Sequence, residues 1–167
     1  MDTLTLVKQQ VAGARRELNG VMQGVTQEMG NWQPPGLANS IADLYFHTVN
    51  AQDRLLTRVQ ANRPPLIDKW ADRLKIPADF RHTPEASRAL RADMPTLLQY
   101  GDAVFADSDK FLGSLSNADL DRTVEGMRGP VPVASQIAAL LGTHTYEHIG
   151  EISAIKGIQG AKGYATA

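Results

Sequence analysis

Two histidines four residues apart, His144 and His148, lie in the stretch LGTHTYEHIGEI that runs from Leu141 to Ile152. On an α-helix a four-residue step turns about 400°, so both imidazoles share one face, one turn apart. At that spacing two ring nitrogens can reach one metal ion. The same face carries Ile137, Leu140, Leu141, Ile152 and Ile155, which makes it the expected core face. Two polar rings set side by side into an apolar stripe are costly to bury unless something bridges them.

A third imidazole, His47, shares a helical face with Leu44, Ala51 and Leu55. Where the core faces of two helices meet, His47 can complete a set with His144 and His148. Three neutral imidazoles leave a coordination position open, as catalytic zinc sites do and structural ones do not. Imidazole also suits Ni²⁺, Fe²⁺ and Cu²⁺. The competing reading of His47 is a hydrogen-bonded core residue, and the residues alone leave both open. His82, just before a helix start, is expected at the surface or in a capping role. Glu147 and Glu151 each follow a histidine by three residues. They are the candidate catalytic residues, able to orient a ring or move a proton; the alternative for each is a solvated charge.

Two other motif readings fit poorly. Residues 144–148 read H-x-x-E-H, the pattern of inverted zinc peptidases, but those need an acidic ligand well downstream and 19 residues follow His148. Di-iron bundles use Glu-x-x-His on each of two helices, and no such pair occurs in the sequence.

These residues need helices to place them. Leu4, Val7, Val11, Ala14, Leu18, Val21 and Val25 alternate three- and four-residue steps, predicting a helix over 3–29. Trp32, in the Pro34-Pro35-Gly36 loop, is expected to fold back on the core. Ser40 with Asp43 predicts a capping box at the start of a second helix, which Asn62 to Pro65 ends. Residues 66–83 read as a packed crossover with a short helix at 68–75. Thr83-Pro84-Glu85 is a helix start, and the apolar row from Leu90 to Leu115 continues it, kinked or interrupted at Pro95. A short turn capped at Ser116, a connection with an extended piece at Thr123-Val124, and a last helix from Pro132 to Gln159 complete the chain, with Gly157 and Gly160 as its stop. Four long amphipathic helices with two long connections predict an all-α four-helix bundle with a crossover.

At 167 residues, 43% hydrophobic and 21% charged, the chain has the composition of one globular domain. We place that domain at 1–160 and a flexible tail at 161–167. The net charge of −1 and the lack of a basic stripe argue against a nucleic-acid partner. No run of 18 apolar residues predicts a membrane span, and the N-terminal residues lack the layout of a secretory signal. With no cysteine there is no disulfide or thiolate site. Cytoplasm is the expected location by elimination.

The sequence resembles the DinB/YfiT-like superfamily of metal-binding four-helix bundles in two ordered segments. One is Ser40-Ile41-x-x-Leu44-x-x-His47, preceded by Trp32-Gln33-Pro34. The other is His144-x-x-x-His148-Ile149-Gly150-Glu151-Ile152, in which Glu151 stands where the family pattern has Gln. The resemblance implies a divalent metal ion, often zinc or nickel, on His47, His144 and His148. It also implies a small-molecule substrate and a homodimer. Characterised relatives include transferases that act with a low-molecular-weight thiol, and others are assigned as metal-dependent hydrolases. Two mechanisms suit such a site: a thiol held as metal-bound thiolate, or metal-bound hydroxide attacking a carbonyl-type group. A non-catalytic metal- or ligand-binding bundle is the remaining alternative.

Overall fold

The computed structural model describes residues 2–60, 63–126 and 129–164. Four long helices build the bundle: α1 (Thr3–Met22), α3 (Ile41–Val59), α6 (Met94–Ser114) and a composite last helix. The last one joins α8 (Val133–Ile137), a π-helical segment (Ala138–Thr143) and α9 (His144–Ile158). Short helices α2 (Gln27–Asn31), α4 (Ile67–Leu74), α5 (Pro84–Ala89) and α7 (Asn117–Asp121) lie in the connections. A hairpin of β1 (Thr123–Gly126) and β2 (Gly129–Pro132) pairs antiparallel, with Val124 opposite Val131. None of the described helices is long and apolar enough to cross a membrane.

Contacts fix the directions of the long helices. Lys156 near the end of α9 reaches the end of α1, so these two run parallel. Arg15 of α1 pairs with Asp109 of α6, while Met94 at the start of α6 abuts Gly30 beyond the end of α1, so α1 and α6 are antiparallel. Tyr45 meets Gly101, and Leu55 and Leu56 share a cluster with Phe111, so α3 and α6 are parallel. The order up, down, down, up needs a long crossover between α3 and α6, as the length of that connection predicts.

Several boundaries differ from the sequence reading. The first helix stops at Met22 rather than near 29, because Gly24 takes a left-handed φ of 74° and Thr26 caps a new helix, α2. The helix expected over 84–115, kinked or interrupted at Pro95, is two helices, with the break before Pro95. Leu90 ends α5, and Asp93 caps α6 by accepting from the Thr96 N–H, so Pro95 sits in the first turn where its missing N–H costs nothing. The expected extended piece at 123–124 is one strand of the hairpin. Gly160, with a φ of 79°, ends α9, and Gly157 lies inside it. Of the residues expected to end the second helix, Asn62 lies outside the described residues, as do 165–167 of the expected tail. Trp32 packs against the main core cluster as anticipated.

The crossover is tied down by one buried carboxylate. Asp53 of α3 is fully buried. It accepts from Arg63 Nη2 at 2.8 Å, from the Tyr100 hydroxyl at 3.0 Å, and from the backbone N–H groups of Leu66 and Ile67 at 2.9 Å. Arg63 Nε also donates to Asp107 at 2.6 Å. A buried charge is tolerable only when its lone pairs are filled this way. At the other end, Lys156 Nζ donates to the carbonyls of Val21 and Gln23, closing the negative end of α1.

Removing Asp53 strips four donors of their acceptor and leaves Arg63 half-paired. We expect Asp53→Ala to destabilise the fold by about 3–5 kcal/mol, read as a lowered midpoint with unchanged slope in urea denaturation.

Candidate metal centre

His144 and His148 do not sit in the middle of the buried stripe. Val133, Ile137, Leu141, Thr145 and Ile149 are all buried and step by four residues. In a regular helix such a row drifts about 40° per step. The π-helical turns at 138–143 add one residue and absorb the drift. Thr145 and Ile149 therefore take the core positions, and the two histidines move one place round to the edge, where both are half-buried. Thr145 is fixed there by Gln52 of α3, which donates to its hydroxyl at 3.1 Å.

At that edge α9 meets α3, which runs the opposite way. His47 Nε2 lies 3.0 Å from His144 Nε2, and His148 Nε2 lies 3.1 Å from the same atom. Nitrogens of all three rings fall within 4.8 Å of one another. A tetrahedral ion with metal–nitrogen bonds of about 2.0–2.1 Å holds its nitrogens ~3.3–3.4 Å apart, close to these separations. Hydrogen bonds alone cannot satisfy the trio. A ring nitrogen carries either one hydrogen or one lone pair. The carboxylate of Glu151 lies 2.6 Å from His148 Nδ1, which places the proton of a neutral ring there and leaves Nε2 as a free lone pair. His144 Nε2 then has one hydrogen or one lone pair to serve two contacts, and its buried Nδ1 has no partner. A divalent ion would accept all three lone pairs at once.

Burial first, then the neighbouring His82, His148 and His144 rings, hold His47 down to about 4 from the ordinary 6.5, against an opposing pull from Asp43. His144 is also lowered, by burial and by His148, with Glu147 and Glu151 opposing. These two rings are thus neutral, ligand-ready bases at neutral pH. Both candidate catalytic glutamates are exposed, and of the two Glu151 touches the cluster, through His148.

His82 departs from its expected surface or capping role. Its ring packs edge-on against His47 with centroids 4.5 Å apart, and against Phe80 at 4.9 Å. Its Nδ1 faces the buried carboxylate of Asp43 at 3.4 Å. Sequence reasoning missed both residues because α5 and the chain before it fold back over α3, a tertiary contact without a local signature. A cavity of about 340 Å³ opens beside the rings, lined by His47, His82, His148, Asp43, Ser87 and Glu151 among others.

The sequence profile of the DinB superfamily matches residues 10–152, a span from α1 into α9 that includes all three clustered histidines. The fold is similar to a crystal structure of a conserved protein from Enterococcus faecalis, with a TM-score of 0.79 and 20% identity over 96% of this chain and 99% of that one. At that identity the likeness speaks to the fold. No curated protein matches the chain.

A pKa that is lower in the folded chain than in the unfolded one makes the unfolded state bind more protons between the two values, so stability falls as pH falls. For His47 that window runs from 6.5 to about 4. We expect the metal-free protein to lose melting temperature across it, and His47→Gln to lose less, in calorimetric scans at matched pH. Equal losses would remove His47 from the account.

Proposed function

The chain belongs to the DinB superfamily, and on that premise we propose that it is a divalent-metal-dependent enzyme acting on a small molecule, most simply a transferase that activates a small thiol. The observation that carries this reading is the convergence of three ring nitrogens within 4.8 Å beside an open cavity. His47, His144 and His148 would hold the ion; imidazole donors suit zinc, nickel, iron or copper, and the family resemblance favours zinc or nickel. When bound, such an ion supplies Lewis acidity that favours the deprotonated form of a thiol or water in the open position. A cavity of about 340 Å³ has room for an organic co-substrate beside the ring nitrogens, which favours the thiol over water alone.

The remaining roles belong to this chain's own groups. Glu151 keeps the proton of His148 on Nδ1 and so keeps Nε2 available. Gln52, through Thr145, fixes the turn of helix that carries His144. Glu147 faces solvent, which supports the solvated-charge reading for it.

Elemental mass spectrometry of untagged protein is expected to find about one divalent transition metal per chain, lost in His47→Ala and in His148→Ala while circular dichroism stays helical. A full equivalent retained by either variant with unchanged affinity would defeat the ligand assignment. Glu151→Gln is expected to keep the stoichiometry and weaken affinity by about 10- to 100-fold, read by competition with a chromophoric chelator. For the metal-loaded protein, conjugation of a thiol with an electrophile should exceed that of the His148→Ala variant.

A further inference from the structure

Asp43 is the acid at the third position of α3, behind its cap Ser40. At the start of α7 the same pair, Ser116 and Asp119, closes a full capping box, with Asp119 accepting from the Ser116 N–H at 2.8 Å. Aspartate is therefore long enough for the task. At α3 only half of the box forms. Ser40 Oγ accepts from the Asp43 N–H, but the Asp43 carboxylate turns away from the cap. It lines the cavity beside the histidines with 1% of its side chain exposed. Its Oδ1 is buried and has no hydrogen-bond partner, with His82 Nδ1 3.4 Å away.

A carboxylate released from a cap and left unfilled in a cavity is an acceptor awaiting a donor. The surroundings say which kind. Glu151 is the second carboxylate on the wall, and none of the described lining residues is Lys or Arg. Ser87, Thr83 and Asn39 add neutral polar groups, and Leu37 and Leu44 line both this cavity and an adjoining one of about 280 Å³ that continues to Ala154 and Ile155. The lining repels an anionic group and offers a charge-assisted acceptor next to an aliphatic wall.

We propose that this cavity recognises a small ligand bearing a primary ammonium group, held by the Asp43 carboxylate, with an aliphatic portion lying on Leu37 and Leu44. The inference rests on the metal-site reading in one respect: it makes the ligand's reactive end the one nearer His47 and His148.

The test is a nitrogen-15 NMR titration of the full chain, metal-free and then metal-loaded, with n-propylammonium and with propionate. Propylammonium is expected to saturate, shifting the amides of Asp43, His82 and Ser87, while propionate leaves the metal-free protein unshifted. Asp43→Asn should weaken propylammonium by at least about tenfold, near the worth of one charge-assisted hydrogen bond. Leu37 is 88% exposed, so Leu37→Lys folds regardless and should also weaken propylammonium. Equal affinity for the two probes in the wild-type protein, or an unchanged affinity in Asp43→Asn, overturns the proposal. Failure to take up metal overturns the metal-site reading instead, and the metal-free titration still decides this one.

Discussion

An imidazole nitrogen of His144 with two others, from His47 and His148, each about 3 Å away, forms an arrangement that hydrogen atoms cannot satisfy. The site depends on resolving that conflict. Glu151 resolves part of it by fixing the tautomer of His148, and burial resolves another part by keeping His47 and His144 neutral. What is left is a set of ring nitrogens within 4.8 Å of one another, a conflict that a divalent cation would resolve and a proton does not.

The scaffold serves that convergence at two ranges. Nearby, the π-helical turns before His144 shift the register of the last helix by one residue. Both histidines leave the core stripe for its edge, His148 at the wall of the cavity, without breaking the row of buried residues on either side. Farther off, the Asp53 hub clamps the start of the crossover to α3 and α6. Arg54 adds a bond to the carbonyl of Ala78, so the segment leading to His82 is pinned over the same helix. The long crossover thus does more than return the chain to the top of the bundle: it supplies the outer wall of the pocket.

How far the sequence could be read follows from the range of each interaction. The four long helices were legible from three- and four-residue apolar steps, since these reflect a face packed on a core. Helix starts at Ser40, Thr83 and Ser116 were legible because capping is local. The errors fall where one residue outweighs the pattern. Gly24 broke the first helix although Val25 still packs on the core, and Pro95 began a helix that periodicity had carried through it. The π segment left no mark of its own, because a row of buried residues at steps of four looks much like one at mixed steps of three and four.

The sequence by itself determined that the chain makes helices, that two histidines share a face of the last one, and that a third lies on the second long helix. Those are properties of residue type and spacing within one element. Only the tertiary structure decided that α3 and α9 cross where their histidines meet, and that His82 and Asp43 join them. The partners of these contacts stand many residues apart, His47 and His144 by 97. Nothing in local propensity couples such distant positions. The coupling comes from packing the apolar faces against each other, and the polar groups at their shared rim are carried along.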